Sequence, residues 1–117
     1  MTQDQLFLLK PDFMAGSRGP CYCPACATLE GVLAFYPRLR EILDVRYVDF
    51  PRPRPAVIAA IGAENQGLPS LVIASDPAAD QALTGLDVRE WQGRRFLQSA
   101  GDIGRYLARR HGIGEPH

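Results

Sequence analysis

Nowhere in this sequence do apolar residues run on for more than a few positions, far short of the roughly 20 that a membrane-crossing helix needs. The N-terminus opens on polar Thr2, Gln3 and Asp4 and lacks the pattern of a secretory leader. The expectation is a cytoplasmic protein with no membrane partner. Excess charge is lacking too: 13 Lys and Arg balance 13 Asp and Glu, so no basic face is expected for nucleic acid. Histidine is scarce, limited to His111 and His117 near the C-terminus. The three cysteines all fall within Cys21–Cys26, too few and too local for the disulfide framework of a small secreted domain. That cluster points to chemistry, to metal or to no role at all, and not to covalent stapling.

What is present suits one globular domain over residues 1–117: 46% of the residues are hydrophobic and 22% charged, enough for a modest core. Gln5–Leu9 reads as a strand covered on both faces. Lys10–Pro20, with two prolines, two glycines and no periodicity, reads as a loop leading to the cysteines. From Cys23 or Pro24 the spacing of Leu29, Val32, Leu33 and Tyr36 is helical, with a break at Pro37 and a second helical piece through Leu43. Val45–Phe50 reads as a strand and Phe50–Pro55 as an extended crossing. A helix from Pro55 carries Val57, Ile58 and Ile61 and ends at Gly62 or within Asn65–Gly67.

Leu71–Ala74 follows as a third strand and Arg94–Leu97 as a fourth, with Val88–Trp91 as a possible hairpin arm turning at Gln92 and Gly93. Asp76–Gly85 carries no readable pattern. Ser99 with Asp102 opens a last helix bearing Ile103, Tyr106 and Leu107, and Gly112 lies past its end. The order β-α-β-α-β-β-α implies an α/β fold with a mixed four-stranded sheet and helices on both faces.

Cys23, at the start of a helix, meets unpaired N–H groups and the positive end of the helix dipole, which favour a thiolate. Cys26, one turn on, faces the same way and would be the buried, resolving thiol. Adding Cys21 gives Cys-x-Cys-x-x-Cys, a set that could instead hold zinc or an iron–sulfur cluster, although a closed zinc site needs a fourth ligand. Lys10 and Arg18 read as surface charge that could also act on the dithiol. Arg52 and Arg54 either meet an anionic substrate or face water. Asn65, Gln66 and Gly67 read as a helix end, with their amides near a peptide-like substrate as the other option, and Trp91 and Phe96 as core or interface.

The Cys23-Pro24-Ala25-Cys26 motif after a first strand resembles the Cys-Pro-x-Cys motif of glutaredoxins and other thioredoxin-superfamily oxidoreductases. Leu68-Pro69, just before the third strand, is similar to the place where that superfamily keeps a cis-proline. The resemblance implies a cis Pro69 beside the dithiol and a Leu68 backbone that pairs with substrate. Phe96-Leu97-Gln98-Ser99 followed by Ile103–Ala108 resembles the end of the N-terminal domain of glutathione transferases, implying that Gln98 and Ser99 hold the γ-glutamyl carboxylate of glutathione. As a whole the chain resembles a bacterial thioredoxin-like family of unknown function. These resemblances imply a thiol–disulfide oxidoreductase with Cys23 as nucleophile and Cys26 as resolving thiol. Its partners would be a disulfide substrate or glutathione, with no resident cofactor. The alternative is a non-catalytic domain that binds metal through Cys21, Cys23 and Cys26 or serves as a partner-binding module.

Overall fold

Leu6, Phe7 and Leu8 are each no more than 1% exposed, and this follows from their position in an inner strand with cover on both faces. The computed structural model describes residues 2–117. The chain opens with β1 (Gln5–Leu9), β2 (Phe13–Ala15), β3 (Arg18–Cys21), α1 (Pro24–Phe35) and a one-turn α2 (Leu39–Ile42). It continues through β4 (Asp44–Val48), α3 (Pro55–Ile61), a 3-10 turn at Ala63–Asn65 and β5 (Ser70–Val72). The last third holds a one-turn α4 (Ala79–Ala82), β6 (Arg89–Trp91), β7 (Arg94–Leu97) and α5 (Ala100–His111).

The main sheet has the order β4-β1-β5-β7-β6. β1 and β4 are parallel, with Leu6 opposite Val45 and Leu9 opposite Val48, and the remaining pairs are antiparallel. Alternation along the strands divides the core in two. Leu6, Leu8, Leu71 and Leu97 face a layer built on Leu29 and Leu33 of α1 and Ile103, Tyr106 and Leu107 of α5. Phe7, Val72 and Phe96 face the opposite way and meet Val57, Ala60 and Ile61 of α3. Each large side chain buried this fully contributes about 1.5–3 kcal/mol. The α/β class, the mixed sheet and helices on both faces are therefore as expected.

The sheet has five strands and not four. Arg89–Trp91 is the added edge strand, paired with β7 from Arg89 opposite Phe96 to Trp91 opposite Arg94. The turn at Gln92 (φ 47°) and Gly93 (φ 78°) supplies the two left-handed positions that a tight hairpin demands. Trp91 then lies across Gly62 (φ +91°), where a Cβ would come within 2.6 Å of the indole Nε1. A side chain there would push the edge strand off α3.

Lys10–Pro20 is not an irregular loop. β2 and β3 form a separate antiparallel ribbon, with Phe13 opposite Cys21 and Ala15 opposite Arg18. A long-range contact holds it: the Phe13 ring stacks on Phe50 at 4.2 Å between centroids and 4° between planes. A two-stranded ribbon with free edges tolerates Pro20 inside β3. The second strand of the parallel pair runs Asp44–Val48, two residues short of Phe50, because Phe50 has left the ladder to make that stack. β5 starts at Ser70, immediately after Pro69, and the unassigned stretch after Asp76 contains the single turn of α4. Among the described residues no helix is long and apolar enough to cross a membrane.

Candidate functional site

α1 begins where its sequence says it should. Pro24 occupies the first turn, where its missing N–H costs nothing, and Cys23 is the N-cap in extended conformation (φ −81°, ψ 115°). Cysteine replaces the usual Ser, Thr or Asp cap, so a sulfur does the work of an oxygen. Cys23 Sγ accepts the Cys26 N–H at 3.2 Å and lies 4.0 Å from the Leu68 carbonyl oxygen, to which its thiol donates. Cys26, 3% exposed, sits beneath, with its sulfur accepting the Leu9 N–H at 3.5 Å. Burial pushes the Cys26 thiol up to about 12, helped by its hydrogen bond with Cys23. All three cysteines are free thiols.

A groove of about 520 Å³ opens over the pair, lined by Leu9, Asp12, Tyr22, Ala27, Glu30 and Tyr47. Its far wall is a polar cluster that the sequence did not announce. Glu30 accepts from the Tyr47 hydroxyl and from Arg40 at 3.0 Å, and Arg40 also donates to the Tyr47 oxygen at 3.1 Å. Partial burial, then Glu30, raise the Tyr47 phenol. Tyr22, beside the dithiol, is 65% exposed.

Leu68 and Pro69 come to the site, with the Leu68–Pro69 bond cis, as are Gly19–Pro20 and Arg52–Pro53. Gln98 and Ser99 have internal work. The Gln98 amide donates to Asn65 O at 3.0 Å, Gly67 O at 3.2 Å and Ser70 Oγ at 3.0 Å, so it ties down the segment that carries Leu68. Ser99 caps α5 by accepting the Asp102 N–H at 3.0 Å. Asn65 closes α3 by donating to Ile61 O at 2.8 Å.

Cys21 points elsewhere: its thiol donates to Arg18 O at 3.7 Å within the ribbon. Among the described residues no three His, Cys, Asp or Glu side chains converge into a metal site, so Cys21, Cys23 and Cys26 do not form one together. Lys10 pairs with Asp49 at 3.1 Å on the surface, and Arg18 and Arg52 are exposed.

Arg54 does not face water. It is 5% exposed, beneath the proline-rich crossing. Its Nε and Nη2 donate to Phe50 O at 3.0 and 2.6 Å, its Nη1 donates to Gln66 O at 2.7 Å, and its backbone N–H donates to Gln66 Oε1 at 2.7 Å. The guanidinium also lies 5.6 Å from the centroid of the Phe50 ring. Burial lowers its affinity for its proton, Arg52 adds to that, and Cys26 and Cys23 oppose it. The sequence singled out Arg54 but gave it two solvent-facing roles; its true partners are backbone carbonyls, which leave no side-chain signature.

No curated protein and no solved structure matches the chain. Residues 3–115 match the sequence pattern of a family described as proteins of unknown function, DUF3088, and the chain belongs to that family.

Proposed function

We propose that this DUF3088 protein is a thiol–disulfide oxidoreductase on a thioredoxin-like fold, with Cys23 as nucleophile and Cys26 as resolving thiol. The observation that carries the reading is the position of Cys23 Sγ, which takes the Cys26 N–H at the start of α1, borders the Leu68 carbonyl and looks into an open groove. The fold assignment draws support from the parallel β1–β4 pair, the antiparallel β5–β7 pair, the dithiol at the head of the first helix and Pro69 leading into β5.

In the first step the Cys23 thiolate attacks one sulfur of a substrate disulfide, forms a mixed disulfide and expels the other sulfur as a thiolate that takes up a proton. Cys26 then loses its proton and attacks Cys23 Sγ. The second substrate thiolate leaves, and the chain keeps a Cys23–Cys26 disulfide. Two electrons have passed from the dithiol to the substrate, and two thiols of a reductant such as glutathione restore the starting state. The high affinity of Cys26 for its proton keeps it silent until the mixed disulfide forms. Leu68 presents its carbonyl to the bound substrate. Gln98 serves that carbonyl by fixing its segment, and its amide hydrogens are already engaged there. Such a cycle runs in a reducing compartment, which here is taken to be the cytoplasm.

Reduction of hydroxyethyl disulfide by the purified protein tests this reading. Cys23→Ser is expected to fall to background, whereas Cys26→Ser should accumulate a mixed disulfide visible by mass spectrometry. Full turnover in Cys23→Ser would overturn the proposal.

A further inference from the structure

The groove over the dithiol is one-sided in charge. Beside Cys23 and Cys26 its ionisable lining is Asp12, Glu30, Tyr22 and Tyr47, and no lysine, arginine or histidine lines it. The cations nearest in sequence to these elements are held elsewhere: Lys10 by Asp49 at 3.1 Å, Arg40 by Glu30 at 3.0 Å and Arg54 by the Phe50 and Gln66 carbonyls. Arg18 and Arg52 are exposed but stand outside the lining. Of the two carboxylates, Glu30 is engaged by Arg40 and Tyr47, whereas Asp12 makes no ion pair among the described residues.

The backbone fixes Asp12 at this rim. It takes a left-handed conformation (φ 65°) between the end of β1 and the start of the ribbon, a conformation that Asp tolerates better than most residues. Tyr22 leaves the other end of the ribbon 65% exposed, also on the groove. A ring left in water beside a free carboxylate suits an ammonium or guanidinium, which gains from both. An anion meets the reverse. The Gln98 amide, the donor that would receive a carboxylate, already has its hydrogens on internal acceptors. The positive end of α1 is taken up by the Cys23 sulfur, which accepts the Cys26 N–H.

We propose that the dithiol groove selects disulfides carrying a positive charge on a short chain beside the sulfur, with Asp12 as the carboxylate that meets the ammonium or guanidinium. The inference deepens the redox reading above and rests on it. Two sources share this chemistry: a small aminothiol disulfide, and a polypeptide disulfide with lysine or arginine next to its cysteine. A disulfide bearing carboxylates meets a group of like charge at the rim and is disfavoured.

The test sets reagents of opposite charge against one sulfur. Cys23 is labelled with cationic trimethylammonioethyl methanethiosulfonate and with its anionic sulfonatoethyl analogue in the wild type, Asp12→Asn and Asp12→Lys, and tandem mass spectrometry locates the modified sulfur. The ratio of the two rates cancels any change in thiolate fraction, and its comparison between variants cancels the reagents' own reactivity. Asn keeps the left-handed conformation should the Lys variant fail to fold. The cation-to-anion ratio is expected to fall about threefold in Asp12→Asn and about tenfold in Asp12→Lys, and to shrink in the wild type at high salt. A ratio that Asp12 does not move would overturn the proposal. Turnover then separates the sources. In Asp12→Asn, a fall in kcat/KM of about threefold for both cystamine and a lysine-flanked peptide disulfide assigns a polypeptide, and a fall for cystamine alone assigns a small aminothiol. A fall for neither overturns the proposal. Labelling needs no turnover, so the two ideas fail separately. An Asp12-dependent ratio without disulfide reduction sinks the redox reading, and disulfide reduction with a ratio indifferent to Asp12 sinks this inference.

Discussion

Asp4, just before β1, and Arg54, beyond the opposite end of the parallel β1–β4 pair, are the two charged side chains buried among the described residues. Asp4 accepts the Ala74 N–H at 2.7 Å on one oxygen and the Tyr106 hydroxyl at 2.5 Å on the other. Arg110, which pairs with Asp76 at 2.6 Å, adds positive charge nearby. That end of the molecule is a closed network: the first residues, the end of β5 and α5 meet on one carboxylate. At the other end the Arg54 guanidinium donates to the Phe50 and Gln66 carbonyls, and no carboxylate stands within ion-pair distance of it among the described residues. A satisfied charge ties elements together. A charge held only by backbone dipoles fixes its loop at a larger desolvation cost.

The comparison predicts unequal costs. Asp4→Ala leaves the Tyr106 hydroxyl and the Ala74 N–H buried without acceptors and should cost about 2–4 kcal/mol in chemical denaturation, with Cys23 alkylation unchanged in the folded fraction. Arg54→Met strips two carbonyls of donors but also removes an uncompensated cation, so about 1 kcal/mol is expected. A stability cost above that of Asp4→Ala would invert the comparison.

A smaller effect appears at alkaline pH. The folded state raises Cys26 from 9.0 to about 12, so it binds a proton that the unfolded chain releases. Its contribution is complete below pH 9 and is lost as pH climbs toward 12. Tyr106, raised from 10.0 first by burial and then by Asp4, adds a loss of the same sign that starts higher. Denaturation of Cys26→Ala should lack the component beginning near pH 9 and keep the later one, whereas Tyr106→Phe should do the reverse. The smallest effect is expected in the groove wall. Arg40→Ala removes a pair whose side chains are 46% and 41% exposed, and it should shift stability by no more than about 0.5 kcal/mol.

What the sequence made legible was local. The Cys23 cap with Pro24, the Ser99 cap of α5 and the apolar run of β1 each write their structure within a few neighbouring residues. The ribbon at Phe13–Cys21 was illegible because its anchor, Phe50, lies 37 positions away. Asp4 read as a polar N-terminus, yet its partners are Ala74 and Tyr106. Gln98 read as a ligand group because its spacing beside Ser99 could not reveal three acceptors more than two dozen residues upstream. Glu30, Arg40 and Tyr47 escaped notice, since nothing in their spacing joins a helix, a single turn and a strand.

Trp91, seated across Gly62, is the chain's single tryptophan. Its emission therefore arises from one ring, on the turn that ends α3 and on the sheet face opposite α1. The wavelength of that light reports whether α3 and the edge strand remain docked, without a label and without touching a sulfur. Fluorescence and cysteine labelling thus read the two faces of the sheet through separate channels, in the same sample and at the same time.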